Sequence, residues 1–210
     1  MIIAIDGPAA AGKGTLALQL ADHFDLALLD TGLIYRAVGM NLVRVGADLC
    51  DTNAAIQAAQ NLTSGDLKAL DLRTDIAANA ASKISAIPKV RTTLIDFQRS
   101  FAENPPARKS GSILDGRDIG TVVCPNANVK LFITARPEVR AKRRYLELRE
   151  RGLDAIYGRV LVEMKERDAR DSARTVSPLV PAKDAFLLDT SDISVNEVFS
   201  MALDFVNKNH

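Results

Sequence analysis

One short glycine-rich segment near the amino terminus constrains the fold more than any other feature of the chain. It follows an apolar run at residues 2–5 and precedes a helical pattern that begins at Gly12. Glycine permits positive φ angles, and free amide groups at a helix N-terminus attract phosphate. A strand, such a loop and a helix in this order predict a loop that holds the phosphates of a nucleotide, with Lys13 reaching the β- and γ-phosphates. The predicted nucleotide-binding residues are Gly7, Pro8, Ala9, Ala10, Ala11, Gly12, Lys13, Gly14 and Thr15.

The residue after the lysine departs from the usual form of this loop. A Ser or Thr that binds magnesium usually follows the lysine directly. Here Gly14 follows Lys13, and Thr15 comes one position later. We therefore expect Thr15 to contact phosphate, and Mg²⁺ to be held mainly by ATP and water, with no metal ligand among the protein side chains.

Five short apolar runs predict the strands of one parallel sheet. None alternates between apolar and polar residues, which is typical of strands covered on both faces. The runs occupy residues 2–5, 27–29, 112–114, 129–134 and 185–188. Helices are predicted at residues 12–24, 33–45, 88–102, 137–151, 153–173 and 195–207, the last of them opened by a capping box from Ser194 to Glu197. This alternation predicts an α/β fold of the P-loop NTPase type, a three-layer sandwich with a five-stranded parallel sheet, in one domain over residues 1–210.

Two segments interrupt this alternation. Residues 51–103 form a long, Ala-rich, mostly helical excursion after the second strand, and residues 149–174 form a charged excursion after the fourth. Ten of the 17 arginines lie in residues 136–174, and arginine is suited to bidentate contact with phosphate. We expect residues 51–103 to bind an acceptor and residues 149–174 to act as a lid.

Polar motifs follow the second and third predicted strands. Thr31 and Arg36 come after the second, and Arg117 and Asp118 come after the third. Ligands of parallel sheets bind at the carboxyl ends of the strands, which is where both motifs and the glycine-rich loop are expected. Arginine can clamp a monophosphate, and an aspartate can accept from the exocyclic amino group of cytosine. The alternative for either motif alone is ordinary turn chemistry.

Bulk properties narrow the class of protein. A net charge of +1, 5% aromatic residues and no Trp argue against a nucleic-acid-binding protein. Cys50 and Cys124 lack the spacing of a metal site, and we expect neither a disulfide nor structural zinc. No signal peptide and no apolar stretch of membrane-spanning length are recognisable, so we expect a cytoplasmic protein without a membrane partner. With no exposed apolar stripe identified, we expect a monomer.

Several motifs together resemble those of the bacterial cytidylate kinase family, over nearly the whole chain. The most particular are Asp115-Gly-Arg-Asp118 and Glu166-Arg-Asp-Ala-Arg-Asp171. The others lie in residues 6–15, 29–36, 78–82, 88–91 and 178–181, and at Arg174. The resemblance implies transfer of the γ-phosphate of ATP to CMP or dCMP.

The resemblance also implies roles for individual residues. Arg36 and Arg117 would hold the acceptor phosphate; Thr31, Arg91 and Asp118 would surround the cytosine; Asp171 and Arg174 would reach the sugar hydroxyls, with Arg167 close by. Lys13, Arg117 and Arg174 are the predicted catalytic residues. A cluster of Arg143, Arg144 and Arg149 would help to close over the transferring phosphate.

The chain departs from the family pattern in two places. Thr31 replaces a frequent Ser, and residues 65–73 leave little room for a small antiparallel sheet that many members insert there. Two alternatives stay open from the residues themselves. One is a P-loop kinase for another small acceptor, such as UMP or a hydroxylated metabolite, and the other is an ATP-dependent switch that transfers nothing.

Overall fold

The computed structural model describes residues 1–63 and 65–209, which contain a five-stranded parallel sheet. Its strands are β1 (Ile2–Asp6), β2 (Ala27–Asp30), β3 (Ser112–Gly116), β4 (Val129–Thr134) and β5 (Phe186–Asp189). Their spatial order is β2-β3-β1-β4-β5, and every neighbouring pair is parallel. The five predicted strands are confirmed: β4 has the predicted bounds, and the ends of the other four differ from the prediction by at most two residues.

The central strand β1 leads directly into the glycine-rich loop. Its last residue, Asp6, lies opposite Gly116 of β3, and Asp30 at the end of β2 lies opposite Asp115 of β3. The parallel register therefore brings the glycine-rich loop and both polar motifs to one edge of the sheet, as predicted.

Helices cover both faces of the sheet. They are α1 (Lys13–Phe24), α2 (Thr31–Arg44), α3 (Thr52–Gln60), α4 (Asp75–Ile84), α5 (Pro88–Glu103), α6 (Pro137–Glu150), α7 (Tyr157–Ser172) and α8 (Val195–Asn209). Side chains of β1 alternate between two cores: Ile3 and Ile5 pack with α1 and α8, whereas Ala4 packs with α2 and α5. The fold is thus the three-layer α/β sandwich that the sequence predicts. Across the described residues, no helix combines the length and the apolar character that crossing a bilayer requires.

The start of α7 was predicted wrongly. Helix α7 begins at Tyr157 rather than at residue 153. Gly152, with φ of 73°, ends α6 as predicted, but Ile156 has an extended backbone (φ −118°, ψ 117°), so α7 begins only after it. The capping box before α8 is confirmed, because the Ser194 amide donates to Glu197 Oε2 and the Glu197 amide donates to Ser194 Oγ.

The excursion over residues 51–103 consists of α3, α4, α5 and two short 3₁₀ turns. The turns span Asp66–Lys68 and Leu70–Arg73, and the described residues of this excursion contain no strand. The short segment therefore folds without an antiparallel sheet, as its length predicted. Helix α4 lies directly against α2, where a Cβ added to Gly39 would be 2.8 Å from the Cβ of Ala80.

Candidate active site

The glycine-rich loop has the backbone that a phosphate-binding turn requires. Gly7 has φ of 145°, and a Cβ there would lie 1.9 Å from the carbonyl oxygen of Ile133 on β4. Gly12 and Ala10 also have positive φ, of 99° and 57°. Turns of this kind present backbone N–H groups to an anion, and α1 begins directly afterwards with the positive end of its dipole at the loop.

Lys13 folds back over this loop and is buried. Its Nζ donates to the carbonyl oxygen of Pro8 at 3.0 Å and lies 3.7 Å from Oδ1 of Asp115. Burial, reinforced by the positive charge of Arg117, lowers the pKa of Lys13 to about 8. A bound anion beside the ammonium group would restore the charged form, so the site suits the phosphates of a nucleotide.

Asp6 connects the glycine-rich loop to the motif after β3. Its two carboxylate oxygens accept hydrogen bonds from the amides of Ile119 and Gly120, both at 2.8 Å. These amides open a π-helical turn at Ile119–Val123, immediately after Arg117 and Asp118. Burial raises the pKa of Asp6 to about 7, although the two amides oppose the shift. Because Asp6 directly precedes Gly7, these two hydrogen bonds link the glycine-rich loop to the loop after β3.

Arg140 of α6 supports the glycine-rich loop from behind. Its Nη1 donates to the carbonyl oxygen of Ala9 at 3.3 Å, and its Nη2 pairs with Oδ2 of Asp168 on α7 at 2.6 Å. The side chain is buried. A buried guanidinium paired with a carboxylate and a carbonyl fixes α6 and α7 to the loop.

On the acceptor side, the motif after β2 is tied to the motif after β3. The Thr31 hydroxyl donates to the carbonyl oxygen of Asp115 at 2.8 Å. Arg36, one turn further along α2, donates from Nη1 to the carbonyl oxygen of Leu72 at 2.8 Å. Burial lowers the pKa of Arg36, so the guanidinium would gain from an anionic partner.

Arg91 and Asp118 form a buried ion pair at the back of the acceptor side. Arg91 Nη2 donates to Asp118 Oδ2, and Arg91 Nη1 donates to the carbonyl oxygen of Ser85 at 3.3 Å. The guanidinium lies over the ring of Tyr35, 5.4 Å from its centroid. Contacts on three sides fix the direction in which this pair can hydrogen-bond to a ligand.

Asp171 at the end of α7 holds three arginines together. Its side chain is buried, and its oxygens lie 3.3 Å from Arg117 Nε, 4.0 Å from Arg167 Nε and within hydrogen-bond distance of Arg174 Nη2. Burial and the charge of Arg117 lower the pKa of Arg167 to about 9. One carboxylate cannot neutralise three guanidinium groups, so the cluster keeps an excess of positive charge.

All these acceptor-side groups face one cleft of about 660 Å³. Its basic residues are Lys13, Arg36, Arg73, Arg91, Arg117, Arg167 and Arg174, and its acidic residues are Asp30, Asp115, Asp118, Glu147 and Asp171. Among the described residues, the Nε atoms of Arg91, Arg167 and Arg174 are buried without a hydrogen-bond partner. Buried donors of this kind are usually satisfied by a ligand or by water. The cleft can therefore bind a small polyanion that carries several acceptors.

Comparisons with known proteins agree with this geometry. A profile of the family described as cytidylate kinase matches residues 3–208. The chain belongs to the cytidylate kinase family. A curated relative from Paramagnetospirillum magneticum, named cytidylate kinase, is 61% identical over 98% of this chain and 97% of the relative. A second, from Rhodospirillum rubrum and of the same name, is 54% identical over 98% of this chain and 97% of the relative. Among solved structures, an uncharacterized protein from Eubacterium ventriosum aligns with a TM-score of 0.57 at 14% identity, over 99% of this chain and 98% of that one, and shares the fold.

The 660 Å³ cleft of this cytidylate kinase family member contains all the residues that the sequence predicted to bind the acceptor or to take part in catalysis. They are Lys13, Thr31, Arg36, Arg91, Arg117, Asp118, Arg167, Asp171 and Arg174. Of the predicted nucleotide-binding loop, Ala9, Ala10, Gly12, Gly14 and Thr15 line the cleft as well. Gly7, Pro8 and Ala11 lie outside its lining: Gly7 packs against β4, while the Pro8 and Ala11 carbonyl oxygens accept from Lys13 and Thr190.

The arginine cluster predicted to close over the transferring phosphate does not come together. Arg143 donates to the Thr190 hydroxyl at 2.9 Å, on the loop after β5. Arg144 pairs with Asp75 and Glu147 and lines an adjoining cleft of about 710 Å³. Arg149 is exposed. The helical spacing of these residues on α6 sends their side chains to different partners, which a count of arginines does not reveal.

Sequence analysis assigned no individual role to several residues that shape the site, although some of them belong to the motifs described there. They are Asp6, Asp30, Tyr35, Ser85, Asp115 and Arg140. Asp30 and Asp115 end neighbouring strands, and their position at the carboxyl edge was a usable signal. Arg140 and Ser85 act through contacts distant in sequence and carried no local signal.

The described residues contain no group of three or more His, Cys, Asp or Glu side chains arranged to hold a metal ion. Side-chain oxygen atoms that could act as metal ligands nevertheless line the same cleft as Lys13; they belong to Thr15, Asp30 and Asp115. Mg²⁺ prefers oxygen ligands and keeps several waters. This donor set fits a hydrated magnesium ion that the nucleotide brings with it.

Proposed function

We propose that the protein transfers the γ-phosphate of ATP to CMP or dCMP, producing ADP and CDP or dCDP. The observation that carries this proposal is the common cleft of the glycine-rich loop and the acceptor-side arginines. Burial and the nearby positive charge of Arg117 both lower the pKa of Lys13, and Asp115 Oδ1 lies 3.7 Å from Lys13 Nζ, between the two loops. A donor phosphate at Lys13 and an acceptor phosphate at Arg117 and Arg36 would meet there.

The reaction needs positioning and charge neutralisation more than a general base. An acceptor phosphate oxygen is already ionised near neutral pH, so no side chain has to remove its proton. In the described residues the one histidine is His23 on α1, which packs against Phe24 with a ring-centroid distance of 4.7 Å. Lys13, Arg117 and Arg174 would stabilise the charge that develops on the transferring group.

For the acceptor, we assign the phosphate to Arg36 and Arg117 and the sugar hydroxyls to Asp171 and Arg174, with Arg167 close by. Thr31, Arg91 and Asp118 would surround the cytosine, where the ion pair of Arg91 and Asp118 offers a donor and an acceptor side by side. Residues 7–15 would hold ATP.

Magnesium would enter with ATP. Waters on the ion could contact Thr15, Asp30 and Asp115, which line the cleft near Lys13. When bound, the ion neutralises charge on the β- and γ-phosphates.

We further propose that residues 51–103 form the acceptor-binding insertion and residues 149–174 a lid, because both border the cleft. Closure would exclude water, which otherwise competes with the acceptor. A cytoplasmic monomer remains our expectation for the protein in the cell.

The experiment is ADP formation from ATP, with and without CMP, for the wild type and for Lys13→Ala. We expect formation of ADP to depend on CMP and to fall by roughly 10²-fold or more in the variant, since a preorganised positive charge on the transferring group is removed. Lys109→Ala is the matched control, because Lys109 forms an exposed pair with Asp25 outside the cleft. CMP-independent hydrolysis would indicate a switch protein, and near-normal turnover in Lys13→Ala would remove Lys13 from the reaction.

A further inference from the structure

Ser85 follows α4 at the wall of the cleft and contacts two acceptor-side arginines through different groups. Its hydroxyl accepts from Arg174 Nη2 at 2.7 Å and donates to the carbonyl oxygen of Ser82 at 3.1 Å. Its main-chain carbonyl accepts from Arg91 Nη1 at 3.3 Å. Ser85 is buried and lines the 660 Å³ cleft.

The hydroxyl is oriented by its own donor bond. A serine hydroxyl has one proton, and here that proton goes to Ser82, which leaves the oxygen lone pairs for Arg174. Arg174 Nη2 thus lies between Ser85 Oγ and Asp171 Oδ1, while its Nε is buried without a hydrogen-bond partner. Two anchors on one guanidinium nitrogen fix the plane of a side chain that otherwise has many rotamers.

We propose that Ser85 is a positioning residue that aims Arg174 at the acceptor ribose and thereby sets the preference for CMP over dCMP. This inference rests on the sugar-binding role proposed above for Asp171 and Arg174. The side chain and the main chain of Ser85 act on different parts of the acceptor. Its carbonyl holds Arg91 on the cytosine side and is unchanged when the side chain is replaced. Loss of the hydroxyl therefore affects recognition of the sugar and leaves recognition of the base intact.

The test is Ser85→Ala, assayed for kcat/KM with CMP, dCMP and UMP. We expect the CMP-to-dCMP ratio to fall by about fivefold, chiefly through a higher KM for CMP, because Arg174 loses one of its two anchors, keeps Asp171, and so loses only part of a charged hydrogen bond to the ribose. The CMP-to-UMP ratio and the KM for ATP should stay at wild-type values, since both acceptors carry the same ribose and Arg91 keeps its anchor.

Ser112→Ala is the matched control. Ser112 is also buried and its hydroxyl also donates to a helix carbonyl, that of Ala102 at 2.8 Å, but it begins β3 at the opposite edge of the sheet. Melting temperatures of the two variants measure the loss of stability that any buried serine would cause. An unchanged CMP-to-dCMP ratio in Ser85→Ala, whatever loss of turnover the two acceptors share through Arg174, would mean that the hydroxyl does not act on recognition of the ribose, which overturns the inference.

Arg174→Lys separates failure of this inference from failure of the sugar site. If Arg174→Lys alters the CMP-to-dCMP ratio and Ser85→Ala does not, the role of Ser85 is overturned while the sugar site stands. If neither variant alters the ratio, Arg174 does not bind the ribose, and both assignments are overturned.

Discussion

Asp118→Asn replaces one carboxylate oxygen with an NH₂ group, so a hydrogen-bond acceptor for the base becomes a donor. Asp118 is buried, and its Oδ2 accepts from Arg91 Nη2. Arginine carries donors only, so the oxygen of an asparagine amide must turn toward Arg91. The NH₂ group then points to the position at which the carboxylate would accept from the cytosine amino group. Arg91 thus dictates the orientation of the substituted amide.

The size of the effect follows from two hydrogen bonds. CMP loses a bond from its amino group to a charged acceptor, which is about 2 kcal/mol, and UMP gains a neutral bond to its O4, which is about 1 kcal/mol. The combined change of about 3 kcal/mol corresponds to a factor of roughly 150 in relative kcat/KM. We expect Asp118→Asn to lose most of its preference for CMP over UMP.

The assay is ADP release at limiting CMP or UMP, for the wild type, Asp118→Asn and Asp118→Ala. The alanine variant is the control, because it removes the acceptor for CMP without supplying a donor for UMP. Its activity with UMP should therefore not rise. A CMP-to-UMP ratio in Asp118→Asn within threefold of the wild-type ratio would refute the placement of Asp118 beside the base.

Two further predictions concern the glycine-rich loop. Gly7→Ala should fail to fold or lose more than about 3 kcal/mol of unfolding free energy, because the new Cβ would lie 1.9 Å from the Ile133 oxygen at a positive φ. In Gly14→Ala the nearest atom would lie at 3.6 Å, so urea titration should find its stability near that of the wild type; equal losses in both variants would refute the argument. The second prediction concerns the protonation of Lys13 when ATP binds at different pH. Burial lowers the pKa of Lys13 to about 8, so above pH 8 the empty site holds a largely neutral amine that ATP must recharge. Calorimetry at pH 8.5 in two buffers should detect net proton uptake when ATP binds, which Lys13→Arg should abolish; equal uptake in both proteins would contradict the lowered pKa. The same shift means that the empty protein gains stability from this group as pH rises from about 8 toward 10.5, because the unfolded lysine there binds more protons.

Much of the fold could be predicted from the sequence, because its signals are local. Apolar runs without alternation indicated buried strands, and the loop at residues 7–15 indicated which strand lies beside the nucleotide. The parallel arrangement then predicted that Thr31, Arg117 and Asp118 lie at one edge of the sheet, as they do.

The remaining features depend on contacts between distant parts of the chain. Arg140 reaches a loop carbonyl 131 residues away, and Asp6 accepts from amides more than 110 residues away. Ser85 contacts Arg174 only because α7 ends beside α4. The residue spacing within a single helix or strand does not reveal such contacts. For this reason the sequence predicted that Arg143, Arg144 and Arg149 of α6 act together, although Arg143 contacts a different partner from Arg144.

The most direct test of the account is the choice of acceptor by the purified protein. ADP release would be measured with ATP, magnesium and each of CMP, dCMP, UMP, AMP and GMP in turn. The account predicts strong release with CMP and dCMP and little with the other three. Strong release with AMP or GMP would contradict the assignment of Thr31, Arg91 and Asp118 to cytosine, and release with none would contradict transfer to a nucleoside monophosphate altogether.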